Sequence, residues 1–137
     1  MTINATYGSE RFDVQNLSKT AGSAIAAGNE VIYGADSDKF AISSSAFLGI
    51  GIATEAAVSA STARQDIVMF GSGGIIMVIQ DGTAVRGATA VSKGDGKFGA
   101  RPAGATASVT LAAVPIERGI FQETSAVDGA LVAMKLL

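Results

Sequence analysis

The stretch Asp66-Ile67-Val68-Met69-Phe70-Gly71-Ser72-Gly73-Gly74-Ile75-Ile76-Met77-Val78-Ile79 decides the fold class. Two strongly apolar runs, rich in the β-branched residues that suit a pleated surface, flank a Gly-Ser-Gly break. Each run has the length of a strand rather than of a helix, and the small residues between them read as a hairpin turn. Just upstream, Leu48-Gly49-Ile50-Gly51-Ile52-Ala53 alternates large and small side chains. A period of two puts Leu48, Ile50 and Ile52 on one face. Gly49, Gly51 and Ala53 leave the other face nearly bare, open to close approach by another backbone.

Working outward, the same grammar continues from Ala24 to the last residue. Val31-Ile32-Tyr33 and Phe40-Ala41-Ile42 are short runs separated by the turn composition of Gly34 to Asp38. Asp81-Gly82 and Asp95-Gly96 are tight-turn signals, and Val114 to Phe121 and Ala130 to Leu136 read as closing strands. Helical signal is confined to the Ala-rich stretch Thr54 to Arg64, which has the length of about two turns and no clear apolar face. Many short strands with 17 glycines among 137 residues predict an all-β chain, a compact barrel or sandwich.

The chain also echoes itself. Gly28-Asn29-Glu30-Val31-Ile32, a turn and Lys39-Phe40 match Gly87-Ala88-Thr89-Ala90-Val91, a turn and Lys97-Phe98. Gly51-Ile52-Ala53-Thr54-Glu55 matches Gly119-Ile120-Phe121-Gln122-Glu123, and each copy ends in an Asp followed by an apolar strand. The expectation is one β domain over residues 22–137, built from two similar units at about 24–73 and 83–137 and joined by Gly74 to Gln80. Residues 1–21 differ: they are polar, with isolated apolar residues that fit neither helical nor strand period. They read as an extended N-terminal arm, with a free tail as the alternative.

Composition excludes several functions. With Cys and His both absent, the chain has no disulfide, thiolate zinc site, imidazole ligand or Ser-His-Asp triad. Gly96-Lys97 lacks the flanks of a phosphate loop, and Gly49-Ile50-Gly51 lacks the third glycine of a dinucleotide site. Asp36-Ser37-Asp38 lacks the remaining calcium ligands. Carboxylate pairs and Ser-Lys neighbours such as Ser92-Lys93 lie at turns or on opposite strand faces. No catalytic, metal or cofactor residues are expected, and the chain reads as a non-enzyme. Ten basic residues are scattered and the net charge is −2, which argues against nucleic acid. The longest apolar run, Ile75 to Ile79, is too short to span a bilayer as a helix, and the N-terminus lacks a signal-peptide pattern. A glycan-binding module is a remote alternative, because Trp is absent and only Tyr7 and Tyr33 carry a phenol.

A resemblance adds to this reading. Ala26-Ala27-Gly28-Asn29-Glu30-Val31, Asp38-Lys39-Phe40, Phe47 to Ala53 and Asp128-Gly129-Ala130-Leu131-Val132 resemble the small head decoration, or capsid cement, proteins of tailed bacteriophages. The chain departs from that pattern by repeating the unit and by its longer N-terminal segment. The resemblance implies a structural virion protein on the outer capsid surface, made in the host cytoplasm. Its partners would be the major capsid protein and further copies of itself, with a trimer favoured. The candidate capsid contacts are arm residues: Ile3, Tyr7, Arg11, Phe12, Val14 and Leu17. Main-chain strand addition to a capsid edge would supply their affinity. A tail- or fibre-associated β protein of the virion is the second expectation.

Overall fold

The computed structural model of the chain describes residues 14–19, 24–34, 39–58, 64–101 and 116–137. Among these residues the regular elements are all strands. They are β1 (Val14–Lys19), β2 (Glu30–Tyr33), β3 (Lys39–Ile42), β4 (Gly51–Ala53), β5 (Arg64–Met69), β6 (Ile75–Ile79), β7 (Thr89–Ser92), β8 (Phe98–Ala100), β9 (Glu117–Phe121) and β10 (Leu131–Leu136). The all-β class expected from the Gly-punctuated runs is the class observed.

The first five strands close into a barrel in the order β1-β3-β2-β4-β5. Within it, β1 runs parallel to β3 and antiparallel to β5, and the remaining pairs are antiparallel. The last five form a sheet in the order β6-β10-β9-β7-β8. Its two ends meet where Gln80, directly after β6, bridges in parallel to Phe98 at the start of β8. Followed around the ring, strands β6 to β10 therefore stand in the order of β1 to β5.

The match extends to register. Val14 faces Val68 as Ile75 faces Lys135, and Tyr33 faces Phe40 as Ser92 faces Phe98. In each unit the segment after the first strand is held by one antiparallel bridge, Ile25 to Ala57 and Ala84 to Ser125. After each bridge the chain turns through a glycine with positive φ, Gly28 at 92° and Gly87 at 85°. Both need glycine because a side chain is strained in that region. Their amides donate to the carbonyls of Ala53 (2.9 Å) and Phe121 (2.8 Å), so the two turns occupy like places.

Two apolar clusters fill the units. Ile25, Val31, Phe40, Ala53 and Ile67 pack inside the barrel. Val78, Ala90, Phe98, Phe121, Val132, Met134 and Leu136 pack inside the second unit. Alternation along β4 and β5 turns Ile52 and Val68 away from the first interior, and they join the second cluster instead. The units thus share apolar surface rather than hanging on a linker.

Three local readings need correction. Gly71-Ser72-Gly73 turns the chain, with positive φ at both glycines, but β5 and β6 are not hairpin partners. β5 pairs with β1 and β4 while β6 pairs with β10, because the chain here passes from one unit to the next. β6 is accordingly the first strand of the second unit, not a connector. The Ala-rich stretch is not helical over its described part: residues 54–58 bend and bridge back to Ile25, and Arg64 already opens β5.

Candidate interaction surface

Of the six residues proposed to touch a capsid, Ile3, Tyr7, Arg11 and Phe12 lie outside the described residues. Val14 and Leu17 fall in β1, where they pair with Val68 and Gln65 of the same chain. Residues 14–19, read above as part of an arm, are a barrel strand whose backbone pairs along β5 and, at Ser18 and Lys19, with β3. Strand addition to a foreign edge is therefore an idea for residues 1–13 alone.

The structure adds a polar junction that the sequence reading did not single out. Glu30, at the start of β2, is wholly buried where the barrel meets the second unit. The hydroxyl of Ser92 in β7 donates to its Oε1 at 2.5 Å. Arg118 in β9 places Nε 4.0 Å from Oε2, and neither of those two atoms has a hydrogen bond. The Arg118 guanidinium stacks 4.3 Å from the centroid of the Phe70 ring, and Phe70 meets Phe98 edge-on at 6.2 Å. Beside them the Gly96 carbonyl accepts from the Glu30 amide (2.9 Å) and the Asn29 side chain (3.1 Å). Every one of these contacts joins residues 24–70 to residues 92–118.

Burial sets the electrostatics of this junction. Loss of water pushes the Glu30 carboxyl above the usual range, opposed by the Ser92 hydroxyl and the Arg118 charge. Burial likewise lowers the Arg118 guanidinium, with Glu30 opposing. The pair is internal: the Glu30 side chain is fully buried and that of Arg118 is mostly so. Its chemistry is that of a lock: removing either partner strands the other in a dry place.

The glycine signal at Gly49 and Gly51 has two different causes. A Cβ on Gly51 would overlap the backbone carbonyl of Val68 in the neighbouring strand, which is the backbone approach expected from the bare face. A Cβ on Gly49 would instead strike the Glu30 carboxyl. That glycine makes room for the buried acid.

The outer face of the second unit carries apolar surface. Ile75 and Met77 on β6 are 48% and 45% exposed, and Leu131 on β10 is 50% exposed. Register places Leu131 opposite Ile79 and Ala133 opposite Met77, so these side chains form one patch across two strands. Behind it, the Gln80 amide donates to the carbonyls of Val127 (2.5 Å) and Gly82 (3.0 Å), pinning the loop that leads into β10. Among the described residues no cluster of three or more acidic side chains is placed to hold a metal ion, and no helix is long and apolar enough to cross a membrane.

With this geometry in hand, the chain can be set beside known proteins. No family model and no curated sequence matches it. Among solved structures it is similar to the N-terminal base of the head fibre gp8.5 of bacteriophage phi29. The likeness has a TM-score of 0.61 at 15% identity and covers 91% of this chain and 95% of that one. At that identity the two share a fold over nearly their whole lengths.

Proposed function

We propose that this chain is a structural protein of a phage virion that sits on the outer surface of the head and braces the seams between capsomers. The observation that carries the reading is the end-to-end fold likeness to a head fibre base. The junction is compatible with it: two β units locked by shared core and a buried ion pair make a stiff body suited to spanning neighbouring subunits. The patch at Ile75, Met77 and Leu131 is an apolar surface of the kind that marks interaction sites. Its partners would be the major capsid protein and other copies of the chain, and no catalytic step is part of the role. The second reading, a base that anchors a fibre to the head, draws on the same observation, because the similar structure is itself a fibre base.

Co-sedimentation with heads prepared without the protein tests this reading. The full chain is expected to pellet with heads, and the Met77→Asp variant to pellet at least tenfold less. A chain lacking residues 1–13 separates arm from body: loss of binding with an intact β spectrum assigns attachment to the arm. Truncation past residue 13 would confuse the result by removing β1 from the barrel. A folded full chain that ignores the heads overturns the proposal.

A further inference from the structure

Strand β6 stands at an edge of the second sheet. It pairs with β10 on one side. On the other side β8 meets the chain only after β6 has ended, where Gln80 bridges to Phe98. Hydrogen bonds in an antiparallel pair alternate, so every second residue of an edge strand turns its amide and carbonyl outward. Two bonds identify these residues. The Leu136 amide donates to the Gly74 carbonyl at 2.8 Å, which in this register assigns Gly74, Ile76 and Val78 to β10. The Ile79 amide donates away from β10, to the Gly28 carbonyl at 3.1 Å. Ile75 and Met77 share the direction of Ile79. Among the described residues their outward amides and carbonyls meet no backbone partner.

The side chains of this edge are not those of a protected one. Soluble proteins blunt a free edge with charge, proline, a bulge or a cover. β6 reads Ile75-Ile76-Met77-Val78-Ile79, without charge or proline, and its register with β10 is continuous. Ile75 and Met77, whose backbone groups face the edge, are also exposed on the outer face beside Leu131. The counterpart strand β1 is built differently. Register matches Val14 with Ile75, Asn16 with Met77 and Ser18 with Ile79. Two of the three positions are polar in β1, and all three are apolar in β6. The shared fold does not require apolar residues there, so their presence in β6 needs another cause. One rung of the edge is already filled from outside the sheet. Gly28 of the first unit gives its carbonyl to Ile79 and lies so close that an added Cβ would come within 3.2 Å of the Val78 and Ile79 backbone.

We propose that Ile75 and Met77 accept an extended segment of a head protein as an added strand, continuing along β6 from the rung that Gly28 makes. This rests on the head-surface reading and specifies how the contact is made. The chain is here the acceptor of a strand, the reverse of an arm that donates one. Recognition is by main chain: amides and carbonyls of the segment, at two-residue spacing, meet those of Ile75 and Met77. Side chains on the outer face of the segment extend the row of Ile75, Met77 and Leu131, so its alternate residues are apolar. Lys135, exposed and across from Ile75 on β10, favours an acidic residue at that end.

Hydrogen exchange of the full chain, free and bound to heads prepared without it, tests the proposal when each amide is read after quenching. In the free chain the Ile75 and Met77 amides are expected to exchange freely, while those of Ile76 and Val78, bonded to β10, are protected. On heads the Ile75 and Met77 amides should slow by about tenfold or more. Two proline variants read the same contact through binding. Met77→Pro and Ile75→Pro each delete one outward amide, keep an apolar side chain and leave the β10 ladder its bonds, as proline allows at an edge. Each should pellet with heads about tenfold less than wild type, with Ile76 and Val78 still protected. Should a variant lose that protection, the wild-type exchange alone decides. A chain that binds heads with its Ile75 and Met77 amides unprotected overturns strand addition and leaves the head-surface reading standing, as do folded proline variants that bind like wild type. Protection of both amides in the free chain also overturns it, because the edge would then be covered by this chain or by a second copy. A full chain that ignores heads overturns both readings.

Discussion

At the residue scale, Glu30 is the most informative side chain. It is wholly buried, one oxygen is held by Ser92, and the other faces Arg118 without a hydrogen bond. The folded protein therefore holds its carboxyl above the value of 4.5 that an unfolded chain would show. A raised carboxyl binds its proton more tightly in the folded state, so its contribution to stability is fully present below 4.5 and is lost as pH rises through the folded value. Replacing it with glutamine removes the titration while putting a neutral amide of the same shape in its place. The stability of wild type relative to Glu30→Gln should fall by about 1.4 kcal/mol for each unit by which the folded carboxyl is raised. Urea unfolding of both proteins at a series of pH values from acid to neutral measures that difference. A constant difference would show that the carboxyl keeps its ordinary value. Nothing in the sequence marked Glu30 as buried, since an acid next to Val31 is ordinary at the mouth of a strand. The one available hint was Gly49, whose missing side chain leaves space for the carboxyl.

At the element scale, strand existence was legible and strand partnership was not. Val31 to Tyr33, Phe40 to Ile42, Asp66 to Met69 and Leu131 to Leu136 announce themselves by β-branched or apolar runs between turn residues. The pairing of β1 with β5 joins residues some fifty positions apart, and no local pattern encodes such a choice. For that reason the sequence predicts an arm where the polar β1 stands and a hairpin at Gly71-Ser72-Gly73. The residues matched between the two halves, Gly28 with Gly87 and Phe40 with Phe98, do hold like positions in register, because turn glycines and core aromatics are fixed by backbone geometry and packing. Strand contact is close at Gly51, where an added Cβ on β4 would overlap the carbonyl of Val68. Gly51→Ala adds a methyl against backbone that cannot rotate away, and should cost about 1–3 kcal/mol. Chemical denaturation checks it, and a variant as stable as wild type would mean that β4 and β5 can separate freely.

At the scale of the whole molecule, two similar β units act as one body. Ile52 and Val68 from the barrel complete the core of the second unit, and the Glu30–Ser92–Arg118 junction fixes their relative orientation. The bracing role proposed above would call for such stiffness, because a flexible joint would yield before it transmitted load. Electron cryomicroscopy of virions shown to contain the protein tests the proposed head-surface position most directly. The account predicts density for the paired β units on the outside of the head, lying across seams between capsomers. Density confined to the tail, or a head surface bare of it in virions shown to contain the protein, would contradict it.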